Sequence, residues 1–433
     1  MTALNMSSFD AALKVHYTDL RVKNLVYKNN PFLAAIPKYE AFGGRNLPIP
    51  VQFGVPEGRS ANFQNALGLQ TAGNYTEFVL TRVRNYGIAS IGNEVLEASV
   101  GDANAFMQAA SSEIDGILRA VTQDLAGSMY GSGFGNRGTV ASLNPPVPAP
   151  LAVYDIQLAE PAGIVRFEVG MALTSNAPGG AGGAPLNLGA ITAVNRDLGI
   201  ITVDPQAPGF TFPAPITGPP PVGDWLFQWG DDQNGGGPGV DARAKLTGLE
   251  GWLPDVAPVG GPGTSFFGVQ REVDPTRLAG VRYNGSGMTI EEALISASAL
   301  LFREGGRPDI CMVNPVTYAD LIKSLGSKVV YDLMRSSDVA DVFFEAVRVH
   351  TPSGAVSVVA DPNCPVSRAY LLQMDTWKLY SLGMAPKILM TDGMRILRNA
   401  DSDSVQVRTG FYAQMGCSAP GWNCNITLPP VVP

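Results

Sequence analysis

Few residues in this sequence have side chains that carry out catalysis or hold metals. Only two of the 433 residues are histidines, His16 and His350, and only four are cysteines. The closest cysteines, Cys417 and Cys424, are separated by six residues, whereas zinc and redox sites use pairs separated by two. We therefore expect free, buried thiols in a reducing compartment. The sequence predicts no cofactor and no metal site.

The motifs of common enzyme classes are also missing. There is no Gly-Lys-Ser/Thr phosphate loop, no His-Glu-x-x-His and no Gly-x-Ser-x-Gly. Residues 131–135 (GSGFG) look like a dinucleotide fingerprint, but they follow a predicted helix where the fingerprint requires a strand, so they indicate a helix end. The adjacent acids Asp231 and Asp232 lack the rest of a calcium loop, which favours a solvated loop. These observations predict a protein that is not an enzyme.

The amino-acid composition excludes several further classes of protein. Only 16% of the residues are charged, 45% are hydrophobic, and Gly (49) and Pro (34) are abundant. Disorder is excluded by the hydrophobic content, collagen by the absence of a glycine repeat, and a membrane span by the short apolar runs. The net charge of −8 argues against nucleic-acid binding over the whole surface. A loop-rich, β-rich globular protein of two or three domains fits best.

The first half of the chain predicts an arm, a hairpin and a long helix. Residues 1–40 are mildly basic and contain no face that could bury itself. Residues 49–53 and 76–84 have strand composition, and an isolated hairpin is marginally stable, so this one must pack on another part of the chain or on another subunit. Residues 102–130 have apolar groups at helical spacing after the potential N-cap Asp102.

Residues 141–240 differ from the rest of the chain. They contain 16 Gly, 15 Pro, eight acids and two arginines, and so hold −6 of the net charge of −8. Residues 191–195 and 200–203 flank a hairpin turn, and residues 224–229 suit a further strand. We predict a small all-β inserted domain here.

The remaining chain predicts an α/β region followed by strands. Thr289 and Glu292 form a capping box that opens a helix. A buried strand at 310–313 leads into a helix with Asn314 as N-cap and Pro315 at its first position. Strand-like segments between residues 369 and 415 are interpreted as an antiparallel meander, with a tight turn at residues 392–393.

The order of these elements resembles the Hong Kong 97-like fold of the major capsid proteins of tailed bacteriophages. The resemblance covers nearly the whole chain, with residues 141–240 as an optional insertion. It rests on element order and on five stretches, namely residues 30–37 (arm-to-hairpin junction), 92–97 (helix entry), 129–138 (glycine-rich helix exit), 311–318 (a strand-helix step of the axial domain) and 358–365 with 369–372 (the approach to the last strands).

This resemblance implies an α+β fold with an N-terminal arm, an extended β-hairpin, a spine helix, an axial α/β domain, an antiparallel β meander and an inserted small all-β domain. The implied division is 1–40 (arm), 41–91 (extended hairpin), 92–140 (spine helix, peripheral domain), 141–240 (inserted β domain), 241–400 (axial domain with part of the peripheral sheet) and 401–433 (C-terminal strand of the peripheral domain).

The implied function is that of a structural capsid protein. It would self-assemble as hexamers and pentamers into an icosahedral shell around double-stranded DNA, with no catalysis and no membrane. The implied partners are a scaffolding protein, a portal, a decoration protein, and DNA through weak, non-specific contacts of the basic arm. Assembly would occur in the host cytoplasm and the product would be the virion. Because residues 43–87 contain no lysine, the isopeptide crosslink of some relatives is not expected.

Charged residues near the hairpin are the candidates for contacts between subunits. The candidate cations are Arg45 and Arg59 in the hairpin and Arg82 and Arg84 at its base. The candidate acids lie in or near the predicted spine helix, namely Glu94, Glu97, Glu113 and Asp115. For each of them, a solvated surface charge worth ~0–1 kcal/mol is at least as good an interpretation.

Two alternatives stay open. The first is the shell protein of a microbial nanocompartment, which shares the fold but encloses enzymes. The second is a β-rich carbohydrate-binding or hydrolytic protein whose site lies in residues 141–240, where Trp225, Trp229 and the acids Asp231 and Asp232 form a cluster of the kind that binds sugars. Packing in a core explains such tryptophans more often.

Overall fold

The structure is a computed structural model that describes residues 30–92, 103–145, 152–178, 185–207, 215–232, 243, 245–259, 265–325, 331–335, 343–390, 396–398 and 403–429. Most of the predicted arm, the residues Glu94, Glu97 and Asp102, the helix-entry stretch beyond Gly92 and the turn at 392–393 lie outside these ranges. For residues 103–113, 325, 331–335, 343–346 and 396 only the backbone is described.

The first part of the chain, up to residue 232, contains three helices and ten strands among its described residues. In chain order they are α1 (Pro31–Ala35), β1 (Lys38–Tyr39), β2 (Asn46–Gly54), α2 (Phe63–Gly68), β3 (Asn74–Thr81), β4 (Val83–Gly92), α3 (Ala103–Ser128), β5 (Gly138–Asn144), β6 (Tyr154–Leu158), β7 (Ala172–Asn176), β8 (Leu186–Asn195), β9 (Ile200–Asp204) and β10 (Trp225–Gln228).

The described residues from 243 onwards begin with helices and strands in alternation and end in a run of strands. They form α4 (Leu249–Trp252), α5 (Pro275–Ala279), β11 (Val281–Asn284), α6 (Ile290–Arg303), β12 (Ile310–Val313), α7 (Pro315–Leu325), β13 (Tyr331–Arg335), β14 (Phe343–Thr351), β15 (Gly354–Ala360), β16 (Arg368–Leu372), β17 (Trp377–Ser381), β18 (Lys387–Ile388), β19 (Ile396–Arg398), β20 (Ser404–Cys417) and β21 (Cys424–Thr427).

The axial sheet has seven strands in the order β11-β21-β16-β12-β15-β14-β13. Helix α6 packs on it through Ala293, Leu294, Ala297 and Leu301, all of which are buried. The predicted capping box is confirmed, since the Glu292 amide donates to the Thr289 hydroxyl at 3.4 Å and the Glu292 carboxylate accepts from the Thr289 amide. The predicted strand-helix step at 310–325 is confirmed as β12 and α7.

The peripheral sheet is built around β20. Strands β17, β18, β19 and β4 all pair with β20 in antiparallel fashion, and β1 adds to β17 in parallel. Helix α3, the predicted spine helix, lies on one face of this sheet with Ile114, Leu118, Val121 and Leu125 buried. Gly87 is required at this contact, because a Cβ there would lie 2.6 Å from Val121.

Strands β2 and β3 form the predicted extended hairpin. Pro48 and Pro50 fit in β2 because β3 is its only partner among the described strands, so no ladder hydrogen bond is lost. The base of the hairpin packs on the chain's own body, through an aromatic cluster that we call the Trp252 cluster. Its members are Phe78, Trp252, Phe266, Phe267 and Trp377.

The Trp252 cluster ties three regions together. The ring of Phe78, from the hairpin, lies 5.0 Å from that of Trp252, and the Val79 amide donates to the Phe267 carbonyl at 2.9 Å. The Trp252 indole donates to the Met415 carbonyl of β20 at 3.1 Å. Phe267 adopts a left-handed φ of 47°, a strained conformation for a non-glycine residue that persists where packing determines it.

Strands β5 to β10 close a six-stranded antiparallel barrel in the order β10-β5-β6-β9-β8-β7. The predicted hairpin is present as β8 and β9, and the predicted strand at 224–229 as β10. The barrel has its own core, which includes Ile156, Phe167, Ile201 and Leu226. The barrel strands lie between residues 138 and 228, compared with the expected insert at 141–240.

Two expectations for the last part of the chain are wrong. The segment 369–382 is not part of one meander, because the 3-10 turn Met374–Thr376 separates β16 in the axial sheet from β17 in the peripheral sheet. Residues 401–433 also do not belong to the peripheral sheet alone, since β21 pairs with β11 and β16 of the axial sheet. The sheet that a short strand joins is set by distant partners, which the local sequence pattern does not specify.

A tryptophan comparison tests the role of the Trp252 cluster. Replacement Trp252→Ala should lower the free energy of unfolding by about 3–5 kcal/mol, since the side chain is fully buried and leaves a large cavity. Replacement Trp422→Ala, at a side chain that is 42% exposed, should cost no more than about 1 kcal/mol. Guanidinium chloride unfolding of the unassembled chain measures both. Similar losses for the two variants would contradict a central role for the cluster.

Candidate assembly surfaces

The hairpin tip, residues 55–75, projects beyond the packed base and exposes apolar side chains. Its short helix α2 is capped by Asn62, whose side chain accepts a hydrogen bond from the Gln64 amide at 2.9 Å. The exposed fractions are 77% for Phe63 and 70% for Tyr75. Val55, Leu67 and Leu69 are also more than half exposed. Several large apolar side chains exposed in one short segment mark a candidate interaction surface.

The two arginines predicted in the hairpin lie at its surface. Arg45 is exposed just before β2. Arg59 forms an ion pair with Glu57 of the same chain at 2.9 Å, and both side chains are exposed. Such a pair contributes about 0–1 kcal/mol, so Arg59 can exchange this partner for an acid of a neighbour at little cost.

The two arginines at the base of the hairpin have different environments. Arg82 donates to the carbonyl oxygen of Phe42, and its guanidinium lies 5.0 Å from the centre of the Phe42 ring. These contacts fix the turn from β1 towards β2 within one chain. Arg84, on β4, is exposed.

The structure does not bring the candidate acids to these arginines. Glu94 and Glu97 lie outside the described residues, and of Glu113 only the backbone in α3 is described. Asp115 is half-buried on α3, and its Oδ1 is buried with no hydrogen-bond partner in the described structure. Among the described contacts, none of the four arginines forms an ion pair with Asp115.

The sequence analysis missed a buried ionic junction between the barrel and the spine helix. Asp124 of α3 pairs with Arg137, which precedes β5, at 2.6 Å and with Lys245 at 3.2 Å. Lys245 also pairs with Asp231, beyond β10, at 2.8 Å. All four residues are at least partly buried, so the junction fastens both ends of the barrel to one helix. Asp231, considered above as part of a cation loop, is thus occupied by a lysine.

Charge partners determine the protonation of this junction. Burial alone would raise the pKa of Asp124, but Arg137 and Lys245, together with hydrogen bonds from Lys245 and Asn85, hold it below its ordinary value of 3.8. Asp124 is therefore a stable anion at neutral pH. The residues concerned are far apart in sequence, and no local motif indicates that they meet.

The barrel has a second attachment on the same side. Its 3-10 turn Pro161–Arg166 lies between α3 and the axial sheet, where Gln123 donates to the Val165 carbonyl at 3.0 Å. Arg166 donates to the Asn363 carbonyl, also at 3.0 Å. These contacts leave little freedom for the barrel to move relative to the spine helix.

The root of the N-terminal arm is fixed by one buried carboxylate. Asp361, 1% exposed, accepts hydrogen bonds from the Phe32 amide at 3.2 Å and from the Asn363 amide at 2.9 Å. Burial raises the pKa of Asp361, and the amide hydrogen bonds oppose this shift. The chain therefore leaves the body towards residue 30 from a defined point beside the end of β15.

The described cysteines, Trp225 and Asp232 are buried or have partners within the chain. All four cysteines are free and buried, as expected, and burial raises the pKa of each thiol, for Cys417 to about 12. Trp225 packs against Phe134 at 6.3 Å, and Asp232 accepts from Asn176 at 3.3 Å, so the aromatic-acidic cluster is partly barrel packing. Among the described residues, no group of His, Cys, Asp and Glu side chains is arranged to hold a metal ion.

Comparison with known proteins adds a family match. Residues 227–411, from β10 through the axial sheet into β20, match the family model described as SU10 major capsid protein. No curated protein sequence matches the chain. The chain is similar to the capsid asymmetric unit of cyanophage A-1(L), with a TM-score of 0.48, 11% identity and 92% of each chain covered. It is also similar to a structure from Mycobacterium phage Bobi, with a TM-score of 0.40, 10% identity, and coverage of 99% of this chain and 100% of that chain. A virus-like particle from Pyrococcus furiosus matches with a TM-score of 0.37, 8% identity, and coverage of 95% of this chain and 99% of that chain.

The family match coincides with the part of the fold that the resemblance assigned to the axial domain and its adjoining strands. The chain is therefore a structural shell protein with an α+β, Hong Kong 97-like capsid fold. Over residues 227–411, less than half of the chain, it is similar to the SU10 major capsid protein family, and this similarity supports the role of a major capsid protein.

The ionic junction predicts a pH-dependent loss on substitution. Because the pKa of Asp124 is lower in the folded than in the unfolded chain, its stabilising effect is present above pH ~3.8 and is lost as the pH falls through the folded-state pKa. Replacement Asp124→Asn should therefore lower the free energy of unfolding by about 3 kcal/mol at pH 7, because Arg137 and Lys245 lose a buried partner.

Urea unfolding at pH 7 and pH 3 measures this effect. The difference between wild type and Asp124→Asn should be smaller at pH 3 than at pH 7. The control Glu57→Gln, at the exposed pair with Arg59, should cost less than about 1 kcal/mol at either pH. A difference for Asp124→Asn that is equal at both pH values would show that the carboxylate charge does not stabilise the junction.

Proposed function

We propose that the chain assembles as hexamers and pentamers into an icosahedral shell that encloses double-stranded DNA, and that it does so without catalysis. The observation that carries this proposal is the division of the hairpin into a buried base and an exposed apolar tip. The base is anchored in the chain's own Trp252 cluster, whereas the tip has no apolar partner within the described chain. A second copy of the chain is the partner that a shell supplies to every tip.

The energetics of the tip favour association. Full burial of one Phe or Leu side chain contributes about 1.5–3 kcal/mol. Five large apolar side chains at the tip therefore supply more than the few kcal/mol that a weak contact between subunits needs, and the contact recurs at every subunit of a closed shell. Arg59, within the tip, and Arg45, at the base of the hairpin before β2, are proposed to set the register of the hairpin against acids of the neighbour. Arg82 supports this arrangement by holding the base of the hairpin.

The remaining partners are those that the family resemblance implies. A scaffolding protein, a portal and a decoration protein are proposed as partners during assembly in the host cytoplasm. The six-segment division of the chain, from the arm to the C-terminal strand, is proposed as its domain organisation, with the amendment that β21 belongs to the axial sheet. Among the described helices, none is long and apolar enough to cross a membrane.

A substitution at the hairpin tip tests the proposed assembly. The double variant Phe63→Asp/Leu67→Asp should abolish shells seen by negative-stain electron microscopy, because about 3 kcal/mol or more of apolar burial is lost per contact, equivalent to more than about 100-fold in each association step. Its unfolding midpoint should match wild type, since both side chains are exposed.

The matched control places the same charges elsewhere. In Val169→Asp/Val222→Asp the substituted side chains are exposed on the barrel, and shells should form at wild-type yield. Normal shells from the tip variant would contradict the proposal. The nanocompartment alternative is resolved on the same wild-type particles, because DNA inside them supports a virion shell and enclosed enzymes support a nanocompartment.

A further inference from the structure

The peripheral sheet has an unusual charge pattern. Its six strands contain six lysines or arginines and no aspartate or glutamate; the cations are Lys38, Arg84, Lys378, Lys387, Arg398 and Arg408. The six barrel strands show the reverse, with the acids Asp155 and Asp204 and no cation. In a chain with a net charge of −8, such segregation needs a physical reason.

Strand register shows which cations share a face. Gly87 pairs with Thr409 in the β4-β20 ladder, and both face α3. Because side chains alternate along a strand, Arg84 and Arg408 lie on the opposite face. Lys387 pairs with Gly410 of β20 and therefore shares that face. We call this surface the open face of the peripheral sheet.

The open face is accessible and its cations are available. Arg84 and Arg408 are exposed, and neither forms an ion pair with an acid among the described residues. Within the described ranges, Arg408 donates a hydrogen bond to the Gln406 side chain at 3.3 Å, and Lys387 donates to the Leu382 carbonyl at 3.0 Å. From the strand spacing, the backbones at Arg84 and Arg408 lie about 14 Å apart, with Lys387 on the other side of β20.

Polar aromatic groups lie between these cations. Tyr86 is half exposed, its ring is 6.0 Å from that of Tyr412, and the two hydroxyls are 3.5 Å apart. Tyrosine hydroxyls and arginines are both common donors to the phosphate backbone of nucleic acids. The open face thus combines charge with neutral donors on a flat support.

The acidic barrel lies on the other side of the sheet. Its ionic junction and its 3-10 turn both contact α3, which covers the face opposite to the open face. The subunit is therefore polar across its thickness, with an acidic barrel on one side and a cationic sheet face on the other. A shell filled with phosphate polyanion is most stable when the cationic face points inward and the acidic barrel points away.

We propose that the open face, through Arg84, Arg408 and Lys387, is the surface on which the shell contacts the phosphate backbone of enclosed duplex DNA. This inference rests on the proposed function, since it requires a shell around DNA. The proposed site lies on residues that the structure describes and does not depend on DNA sequence. It adds to the DNA contact that was expected from the N-terminal arm alone.

Salt dependence of DNA binding tests the proposal. The unassembled full chain is titrated onto a fluorescent duplex of about 20 base pairs, and affinity is measured between about 50 and 200 mM NaCl. Each phosphate contact contributes about 0.9 to the slope of log affinity against log salt. The double variant Arg84→Gln/Arg408→Gln should therefore have a slope about 1.8 less steep than wild type. Over this fourfold salt range, wild-type affinity should fall about 12-fold more than that of the variant.

Two further variants make the result specific. Arg84→Lys/Arg408→Lys keeps the charge and should keep the wild-type slope. Arg303→Gln/Lys323→Gln removes the same charge from exposed positions on α6 and α7, and it should also keep the wild-type slope. Equal slopes for wild type and Arg84→Gln/Arg408→Gln, or no DNA binding by wild type, would overturn the proposal.

Shell assembly of the same proteins separates this inference from the proposed function. Arg84→Gln/Arg408→Gln should still form shells with its scaffolding protein. If it fails while Arg303→Gln/Lys323→Gln succeeds, the open face binds another subunit or the scaffolding protein, and the DNA proposal is wrong. If wild type itself forms no shells, the proposed function is wrong, whatever the slopes show.

Discussion

The architecture depends on the packing of one tryptophan. Trp252 contacts the hairpin through Phe78, the peripheral sheet through the Met415 carbonyl and Trp377, and the following loop through Phe266. Two guanidinium groups, of Arg271 and Arg243, lie 3.7 and 4.5 Å from the centre of the Phe266 ring, which adds cation–π attraction to apolar burial. Because this cluster fixes the hairpin base, the tip projects in a defined direction with its apolar side chains uncovered.

A second constraint is the distribution of charge. The chain has few charged residues, and the described strands of two sheets are segregated by charge: the barrel strands contain acids and no cation, and the peripheral strands contain cations and no acid. A partly buried ionic junction lies where the barrel meets the spine helix. Asp124, Arg137 and Lys245 form that junction with a direct charge balance that keeps Asp124 ionised. The polarity of the subunit therefore depends on the barrel being held on the helix side of the sheet.

Local signals predicted local structure well. The capping box at Thr289, the Asn314-Pro315 helix start and the apolar stripe of the spine helix each depend on residues within one or two turns, and each is present. Contacts between distant parts of the chain were harder to predict from the sequence. The separation of β16 from β17, the placement of β21 in the axial sheet and the meeting of Lys245 with Asp124 all depend on contacts between residues far apart in the chain, which hydrophobic periodicity does not encode. Of the candidate contact residues, Arg45 and Arg84 are exposed, Arg59 pairs with Glu57 and Arg82 binds the Phe42 carbonyl, and contacts with other subunits stay a prediction.

The central claim is that the hairpin tip becomes buried on a second copy of the chain when the shell forms. Hydroxyl-radical footprinting of unassembled protein and purified shells measures this burial directly, because oxidation of Phe63 and Tyr75 reports their exposure. The account predicts at least about a fivefold drop in the oxidation rate of both side chains on assembly, consistent with removal of most of their exposed surface, while the buried Phe78 at the hairpin base stays protected in both states. Equal oxidation of Phe63 and Tyr75 in free protein and in shells would contradict it.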